Sequence, residues 1–587
     1  LVILESDPTV PQPEFALETI RHSAAHLMAA AVCQLWPGAE YGIGPSIEDG
    51  FYYDFLLPGD ARFRDEDLPR IEERMHEIAA QSPPYQREEL SREAALDEFR
   101  RRQQRFKVEL IERIPEGEVI SCYRTGDFLD LCRGPHVADA SRIPAFRLTH
   151  PAGAYWHGDE RQPMLQRIYG TAWNSEAELE QHLERLEEAA RRDHRRLGRE
   201  LDLFSFADEL GPGLPLWHPH GATVRRVIED HWRRTHRQAG YQLVYTPHLA
   251  REQLWEVSGH LGFFQDEMFG PMEVEGDRYR VKPMSCPFHI LIYRSRPRSY
   301  RELPFRLAEI ASVYRYQRSG TLHGLLRVRM INQDDAHIFC RQEQVEDEVA
   351  RVLRLVREMY RRFGFEGVEV ELSTKPEHAV GPPELWEGAE AALTRVLEAE
   401  GLDAKVNPGD GAFYGPKIDV HIRDALGRRW QCATVQFDFN EPERFGLAYT
   451  GQDGREHQPV MVHHTILGSL ERFTGVLLEH YAGALPTWLA PVQVQVITVS
   501  DDQLEYAHQV ASRLELAGFR SEVPDQPGLR IGAKIREAEL AKVPYCAVVG
   551  RKEVAEVTVN LRRNRGGDQT LMTVDELIRQ LQAEVGS

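Results

Sequence analysis

The chain has 587 residues, too many for a single hydrophobic core, and this length predicts roughly three or four domains. Its apolar content of 42% beside 28% charged residues is that of an ordinary soluble protein. A formal charge of −21 argues against bulk, sequence-independent binding to nucleic acid, and no apolar run is long enough to cross a bilayer.

In chain order, residues 1–14 read as the end of a strand followed by a Pro-rich connector. The sequence opens on Leu, not Met, so an upstream segment is expected to be missing, and the N-terminus lacks the basic and apolar regions of a signal peptide. A helical pattern runs from Leu17 to about Leu35 and stops at a Pro-Gly pair. Strand-like "YGIGPSIEDGFYYDF" (41–55) follows, then charged helical segments to about residue 110, then "EVISCYRTGDFLDLCRGPHV" (118–137). Ser175 and Glu178 make a capping-box pattern and Leu179, Leu183 and Leu186 share a stripe, which predicts one long linker helix over 174–200. From 201 to 485 helices mix with strands rich in β-branched and aromatic residues. From 486 to 587 strand "VQVQVITVS", helix 502–517 closed by Gly518, a second helix, strands "YCAVVG" and "VTVNLR", and a helix capped by Thr573 and Glu576 predict a small α/β domain with a mainly parallel core. The expected domains are therefore 15–173, 201–485 and 486–587 around the linker. Seven cysteines without a CxxC pair suggest reduced thiols and a cytoplasmic address. Three basic stretches, "RRDHRRLGR" (191–199), "YRSRPRSYR" (293–301) and "RKEV…LRRNR" (551–565), are either local nucleic-acid contacts or solvated surface.

Three central segments carry chemistry. "GYQLVYTPHL" (240–249) follows a helix that Gly240 terminates. Residues 309–339 read as two antiparallel strands joined by a Gly-containing basic loop, with Arg315 near the end of the first strand and Arg327 at the start of the second. Guanidinium groups placed there suit bidentate binding of phosphate oxygens. On the second strand Arg327, Arg329, Gln333, Asp335 and His337 share a face broken by Ile331, while the opposite face, with Asn332 and Asp334, is not cleanly apolar. Such a row is either solvated or the floor of a site. In "GSLERFTGVLLEHY" (468–481), Ser469 and Arg472 lie one helical turn apart.

These segments resemble motifs 1, 2 and 3 of class II aminoacyl-tRNA synthetases. "RRDHRRLGRELDLF", "KPMSCPFHILIY", "FYGPKIDVHIRDALGRRWQCATVQFDF" and "HHTILGSLERF" are similar to the threonyl-tRNA synthetase family specifically, and the similarity runs from about residue 17 onward. The resemblance implies an α+β multidomain chain: an antiparallel-sheet catalytic domain, an N-terminal α+β editing domain and a C-terminal α/β anticodon-binding domain. It also implies ligation of threonine to its tRNA through a threonyl-adenylate, a homodimer formed through motif 1, and loss of most of an N-terminal ubiquitin-like domain. In this family Arg315 would hold the ATP α-phosphate, Arg327 and Arg472 the outer phosphates, and Gln333 and Asp335 would approach the amino acid. Met284, Tyr414, Lys417, Gln431, Thr434, Gln436 and Ser469 would complete the threonine and ATP contacts, with Mg2+ accompanying ATP. Cys286, His337 and His463 would bind one Zn2+ with an open position. An apolar pocket separates threonine from isosteric valine poorly, whereas a site that requires the hydroxyl penalises its absence heavily.

Serine keeps the hydroxyl and is smaller, so a hydrolytic second site is expected. His22 and His26 share a helix face, and Cys132 and His136 have the same spacing. The pattern matches bacterial threonyl-tRNA synthetase editing domains, in which Lys107, Tyr123 and Asp130 would complete the pocket. The quartet could bind metal or, as the family implies, activate water without one through an imidazole and an ammonium; Cys132 as a nucleophile is a third option. For the anticodon domain the resemblance points to Lys534, Arg536, Lys542, Glu553, Arg562 and Arg563. Gly528, Asn560 and His464 stand where the family commonly has Asn, Arg and Arg. A catalytically silent tRNA- or mRNA-binding regulator is the alternative; it leaves Arg315, Arg472 and the zinc trio without a use. A metal-dependent hydrolase centred on the N-terminal quartet leaves the motif arginines without one.

Overall fold

The computed structural model describes residues 15–59, 61–159, 161–564 and 569–586, so the strand and connector expected at 1–14 lie outside the described residues. Two compact units divide the chain, one through Glu188 and one from Ala189. Among the described residues, no helix is long and apolar enough to cross a membrane.

In the first unit the predicted helix forms over Leu17–Leu35, and its Ala- and Leu-rich centre from Ala24 to Val32 is buried. It packs against an antiparallel sheet in the order Glu40–Tyr41, Gly50–Leu56, Met164–Trp173, Ala145–Tyr155. A second antiparallel sheet, Gln86–Leu90, Ile120–Thr125 and Phe128–Leu131, carries the later site residues. Its first strand falls inside the stretch read as helical, because the charged Gln86–Leu90 segment pairs with Ile120–Thr125 at an edge.

The linker differs from expectation. Glu178 N–H does bond Ser175 Oγ at 3.2 Å, but the helix stops at Arg192 and a second begins at His194, with Asp193 as its N-cap. Asp193 Oδ1 accepts from Arg195 N–H at 2.8 Å, offering the backbone a local alternative to continuing the first helix.

In the second unit an eight-stranded sheet runs, among the described residues, in the order 242–243, 305–314, 330–340, 460–465, 429–438, 417–423, 369–373 and 404–407. It is antiparallel apart from one parallel pair at each edge. The helices Pro219–Gln238, Val345–Arg362, Pro383–Ala399 and Leu470–His480 bury one core with its back face. Val345, Val349, Val352, Val356 and Met359 make the stripe of the second of these. Gly240, at φ +88°, ends the first helix as predicted. Phe305–Tyr314 and Met330–Cys340 pair in register from Phe305–Phe339 to Tyr314–Met330.

The C-terminal sheet is mixed. Ser521–Glu522, Val494–Thr498 and Tyr545–Val549 are parallel, but Thr558–Arg563 and Gln569–Thr573 add antiparallel strands at one side. Thr573 and Glu576 cap the last helix reciprocally, at 3.3 and 2.8 Å.

Candidate active site

The front face of the central sheet floors a cavity of about 400 Å³. Met284, Cys286, Arg315, Gln333, Asp335, His337, Tyr414, Lys417, Thr434, Gln436 and His463 all line it, so eleven of the predicted positions share one space. Gln431 lies further out, its amide bonding Asp419 at 2.6 Å. Arg327 and Arg329 precede the Met330–Cys340 strand and sit in the connecting loop, not on the strand face as expected. Arg327 is exposed and donates to Gln317 Oε1 at 3.0 Å. Arg315 continues the ladder through its N–H to Arg329 O at 3.0 Å, and its half-buried guanidinium, whose pKa burial lowers, lies 5.5 Å over the Phe264 ring. Ser469 caps the Leu470–His480 helix by accepting from Arg472 N–H at 3.2 Å, so its hydroxyl is committed to holding the arginine.

Strand register brings the candidate metal-ligating set together. His337 and His463 are direct cross-strand partners, and Cys286 enters from the start of the Cys286–Arg294 helix. Their ligand atoms lie within 4.8 Å of one another, and all three residues are buried. The partners of the rings assign the tautomers. His289 Nε2 faces Glu309 Oε1 at 3.4 Å, which places its proton there and leaves Nδ1 to accept from His337 Nδ1–H at 2.7 Å. His463 Nε2 donates to Asp438 Oδ2 at 2.9 Å. Nε2 of His337 and Nδ1 of His463 therefore keep lone pairs for an ion, and both rings have their outer nitrogen held. Desolvation holds His337 well below its ordinary pKa and raises the Cys286 thiol well above its own, so ionising that sulfur requires a nearby cation. Burial opposes ionisation of Glu309, but His289, Lys282 and Thr246 hold its pKa at about 2. Two imidazoles with lone pairs and a buried thiol suit Zn2+. His289, Glu309 and Asp438 were not found from sequence, where nothing distinguishes them from other polar strand residues.

The back face explains the second polar row. Asp334 is 1% exposed and accepts N–H groups from Ile466, Leu467 and Gly468 at 2.8–2.9 Å and from Trp232 Nε1 at 3.1 Å. Burial pushes its pKa up to about 7 against those four donors. Asn332 donates twice to buried Glu471, at 2.9 and 2.6 Å. Both acids pin the turn and first residues of the arginine helix to the sheet. His464 is buried and shares a hydrogen bond with Tyr241 Oη at 2.7 Å.

In the first unit His22, His26, Cys132 and His136 do come together, their ligand atoms within 4.8 Å of one another. Ser23 Oγ donates its proton to Thr19 O at 2.8 Å, so it accepts from His136 Nδ1–H at 3.0 Å. His22 Nδ1–H donates to Pro135 O at 3.2 Å. The Nε2 lone pairs of His22 and His136 then converge on Cys132 Sγ, at 3.4 and 3.3 Å. A single S–H satisfies only one of them, so the other calls for an outside donor. Tyr123 packs 4.5 Å from the His136 ring. Lys107 is 2% exposed and paired with Asp130 at 2.5 Å; Asp130 in turn meets His26 Nε2 at 3.3 Å and accepts from Tyr53 Oη. The ammonium expected to help activate water is a buried partner of Asp130, because an unpaired charge there would cost several kcal/mol, on the order given for buried ions.

The anticodon candidates separate. Lys534 is 3% exposed and donates to Thr498 Oγ1 at 3.1 Å, which corrects its placement on a recognition surface. Glu553 caps the Arg551–Glu556 helix through Gly550 N–H at 2.9 Å. Arg562 pairs with Glu539 at 2.9 Å and Arg563 with Glu584 at 3.4 Å; Arg536 is exposed and Lys542 half-buried. Of the basic stretches, Arg298 in 293–301 is buried and bonds Tyr293 O at 2.9 Å, so that stretch is partly structural.

An antiparallel sheet with an arginine-bearing strand–loop–strand and an arginine helix defines a class II aminoacyl-tRNA synthetase core. Residues 271–481 match the model of the class II tRNA synthetase core domain (G, H, P, S and T), 493–584 the anticodon binding domain, and 120–169 the threonyl and alanyl tRNA synthetase second additional domain. Threonine–tRNA ligase of Nitrosococcus oceani is 54% identical over 97% of this chain and 88% of its own, and that of Acidithiobacillus ferrooxidans 53% over 96% and 87%. The crystal structure of the RNA binding domain of threonyl-tRNA synthetase from Cryptosporidium parvum covers 67% of this chain and 98% of its own, with TM-score 0.65 and 41% identity. The chain belongs to the threonyl-tRNA synthetase family.

Replacing Asp334 with Ala strands four N–H groups and should destabilise the second unit by about 3 kcal/mol or more, measured by chemical denaturation; an unchanged midpoint would show that the carboxylate is not their anchor. Burial lowers His22, His26 and His136 from an ordinary value of 6.5. Because the unfolded chain then binds more protons, their contribution is complete above about pH 6.5 and is lost as the pH falls below it. Calorimetry should show the first unit melting earlier from pH 7 to 5, with a shallower dependence in His26→Gln.

Proposed function

We propose that this synthetase divides its work among the residues above as follows. Arg315, from the sheet floor, takes the ATP α-phosphate, while Arg327 and Arg472 hold the outer phosphates, with Mg2+ accompanying the nucleotide. The in-line attack of the threonine carboxylate on that phosphorus needs positioning and charge compensation more than a protein acid or base. Gln333 and Asp335 orient the amino acid, and Met284, Tyr414, Lys417, Gln431, Thr434 and Gln436 border it and the adenosine. Cys286, His337 and His463 would hold Zn2+, which would supply open positions for the substrate amino and hydroxyl groups and so favour threonine over valine. The observation that carries this reading is the convergence of the trio and Arg315 on one cavity, with the outer ring nitrogens already occupied.

For editing, the Nε2 lone pairs of His22 and His136 are open to an outside donor, and the reading the family resemblance implies is metal-free: a water donates to one imidazole and attacks the seryl ester. Lys107 acts through Asp130, holding His26 in place. The domain limits 15–173, 174–200, 201–485 and 486–587, the tRNA(Thr) partner and a cytoplasmic address belong to the same proposal; the cysteines are all free thiols. The homodimer is supported by the motif 1 segment, where Tyr245 is 85% and Leu249 46% exposed beside Leu254, Leu291 and Ile292.

Cys286→Ser is expected to lose bound zinc and to reduce threonine activation by at least about a hundredfold, in line with loss of a metal site; normal zinc content and exchange would remove the zinc reading. His22→Ala with His26→Ala should leave ATP–pyrophosphate exchange intact while Ser-tRNA accumulates, and undiminished deacylation would overturn the editing assignment.

A further inference from the structure

The stretch 191–199 looks in sequence like a basic surface patch, yet its central histidine has no exposed surface. The backbone N–H of His194 and its Nδ1 both meet Glu479 Oε1, at 3.1 and 2.7 Å. Glu479 is itself held by Arg428. An ionised carboxylate only accepts, so Nδ1 carries the ring proton and Nε2 is left as an acceptor. Nε2 takes the N–H of Leu325 at 3.0 Å.

Leu325 stands two residues before Arg327, in the loop between the Phe305–Tyr314 and Met330–Cys340 strands. The loop closes there into a tight turn, in which His323 N–H bonds Arg327 O and Arg327 N–H bonds His323 O, both at 3.2 Å. Gly324 makes the approach possible. It has φ +48°, and a Cβ on it would fall 2.1 Å from His194 Nε2. The next carbonyl, Leu326 O, accepts from Arg472 Nε at 3.2 Å. The turn that carries one phosphate-binding candidate is thus fastened at two successive residues, by a histidine of the linker and by the arginine of motif 3.

We propose that His194 is a positioning residue of the adenylation site: as the Nδ1–H tautomer set by Glu479, it holds the Leu325 N–H and so fixes the turn from which Arg327 reaches ATP. The break in the linker at Asp193 follows from this role, since a continuous helix would not present the ring and the backbone N–H to the same carboxylate. The inference rests on the reading of Arg327 and Arg472 as ATP-phosphate ligands.

Three substitutions at His194 separate positioning from packing. Gln can return an acceptor to Leu325 N–H, Asn keeps only a donor for Glu479, and Ala keeps neither. In ATP–pyrophosphate exchange on the full chain, His194→Asn and His194→Ala should raise KM for ATP about tenfold, as expected for a buried donor deprived of its acceptor, while KM for threonine and zinc content stay unchanged. His194→Gln should return to within about threefold of the parent. Deacylation of preformed Ser-tRNA in the same preparations reports that the chain is intact. Equal behaviour of Gln and Asn, or lower yield and melting temperature with no change in KM for ATP, would overturn the proposal. Arg472→Ala, run in parallel, tests the underlying reading: if it exchanges normally, that reading fails, and if it is inactive while all His194 variants keep the parental KM for ATP, the role of His194 alone fails.

Discussion

Burial of polar groups on both faces of one β-strand is the constraint around which the second unit is organised. Met330–Cys340 lies inside the sheet, with neighbours on either side, and carries Asn332 and Asp334 toward the helices and Gln333, Asp335 and His337 toward the cavity. A buried carboxylate without partners costs several kcal/mol, on the order of what a whole domain has to spare. Each of these groups must therefore be answered by another part of the chain. Asp334 is answered by three backbone N–H groups in the turn that leads into the arginine helix, and Asn332 by Glu471 within that helix. Satisfying the strand and placing Arg472 are the same structural event.

The front face distributes charge along the floor. Arg315 lies toward the loop end, the imidazole donors toward the other with Gln436 opposite His463, and Gln333 and Asp335 between them along the strand. Placing these groups on paired strands limits their motion to what the ladder allows, as a reaction dependent on alignment demands. The rings that face the ion candidate position are held from behind by His289 and Asp438, and Glu309 is in turn fixed by Thr246 within the motif 1 segment. Dimerisation through motif 1, as proposed, would therefore bear on a segment that already supports the candidate metal-binding rings.

The first unit meets the same cost differently. Its histidines are kept neutral by desolvation, and a backbone carbonyl and a serine hydroxyl decide which nitrogens carry protons. Its one buried ammonium, Lys107, is paired with Asp130 and Tyr53 instead of being left to face a substrate. The result is a pair of neutral imidazole lone pairs beside a thiol, open to a donor from outside the protein.

Local patterns were legible in the sequence because they are fixed by local physics. The Leu17–Leu35 helix followed from apolar spacing and a Pro-Gly stop, the motif 2 strands from alternation around a Gly-containing loop, and the last helix from its Thr573–Glu576 cap. The family resemblance supplied the site residues, eleven of which share the cavity. Tertiary structure decided what no spacing encodes. The pairing of His337 with His463 depends on the register of strands more than a hundred residues apart. The tautomers depend on partners from other elements, and the inward turn of Lys534 on the space beneath Thr498. The helix break at Asp193, the antiparallel strands added to the C-terminal sheet and the withdrawal of Arg327 into a loop arose likewise. For the ring partners and Lys534 a long-range hydrogen bond outweighed a local preference of a few tenths of a kcal/mol, the usual size of such propensities, and at Asp193 and the Arg327 turn local caps act together with long-range bonds to Glu479 and His194.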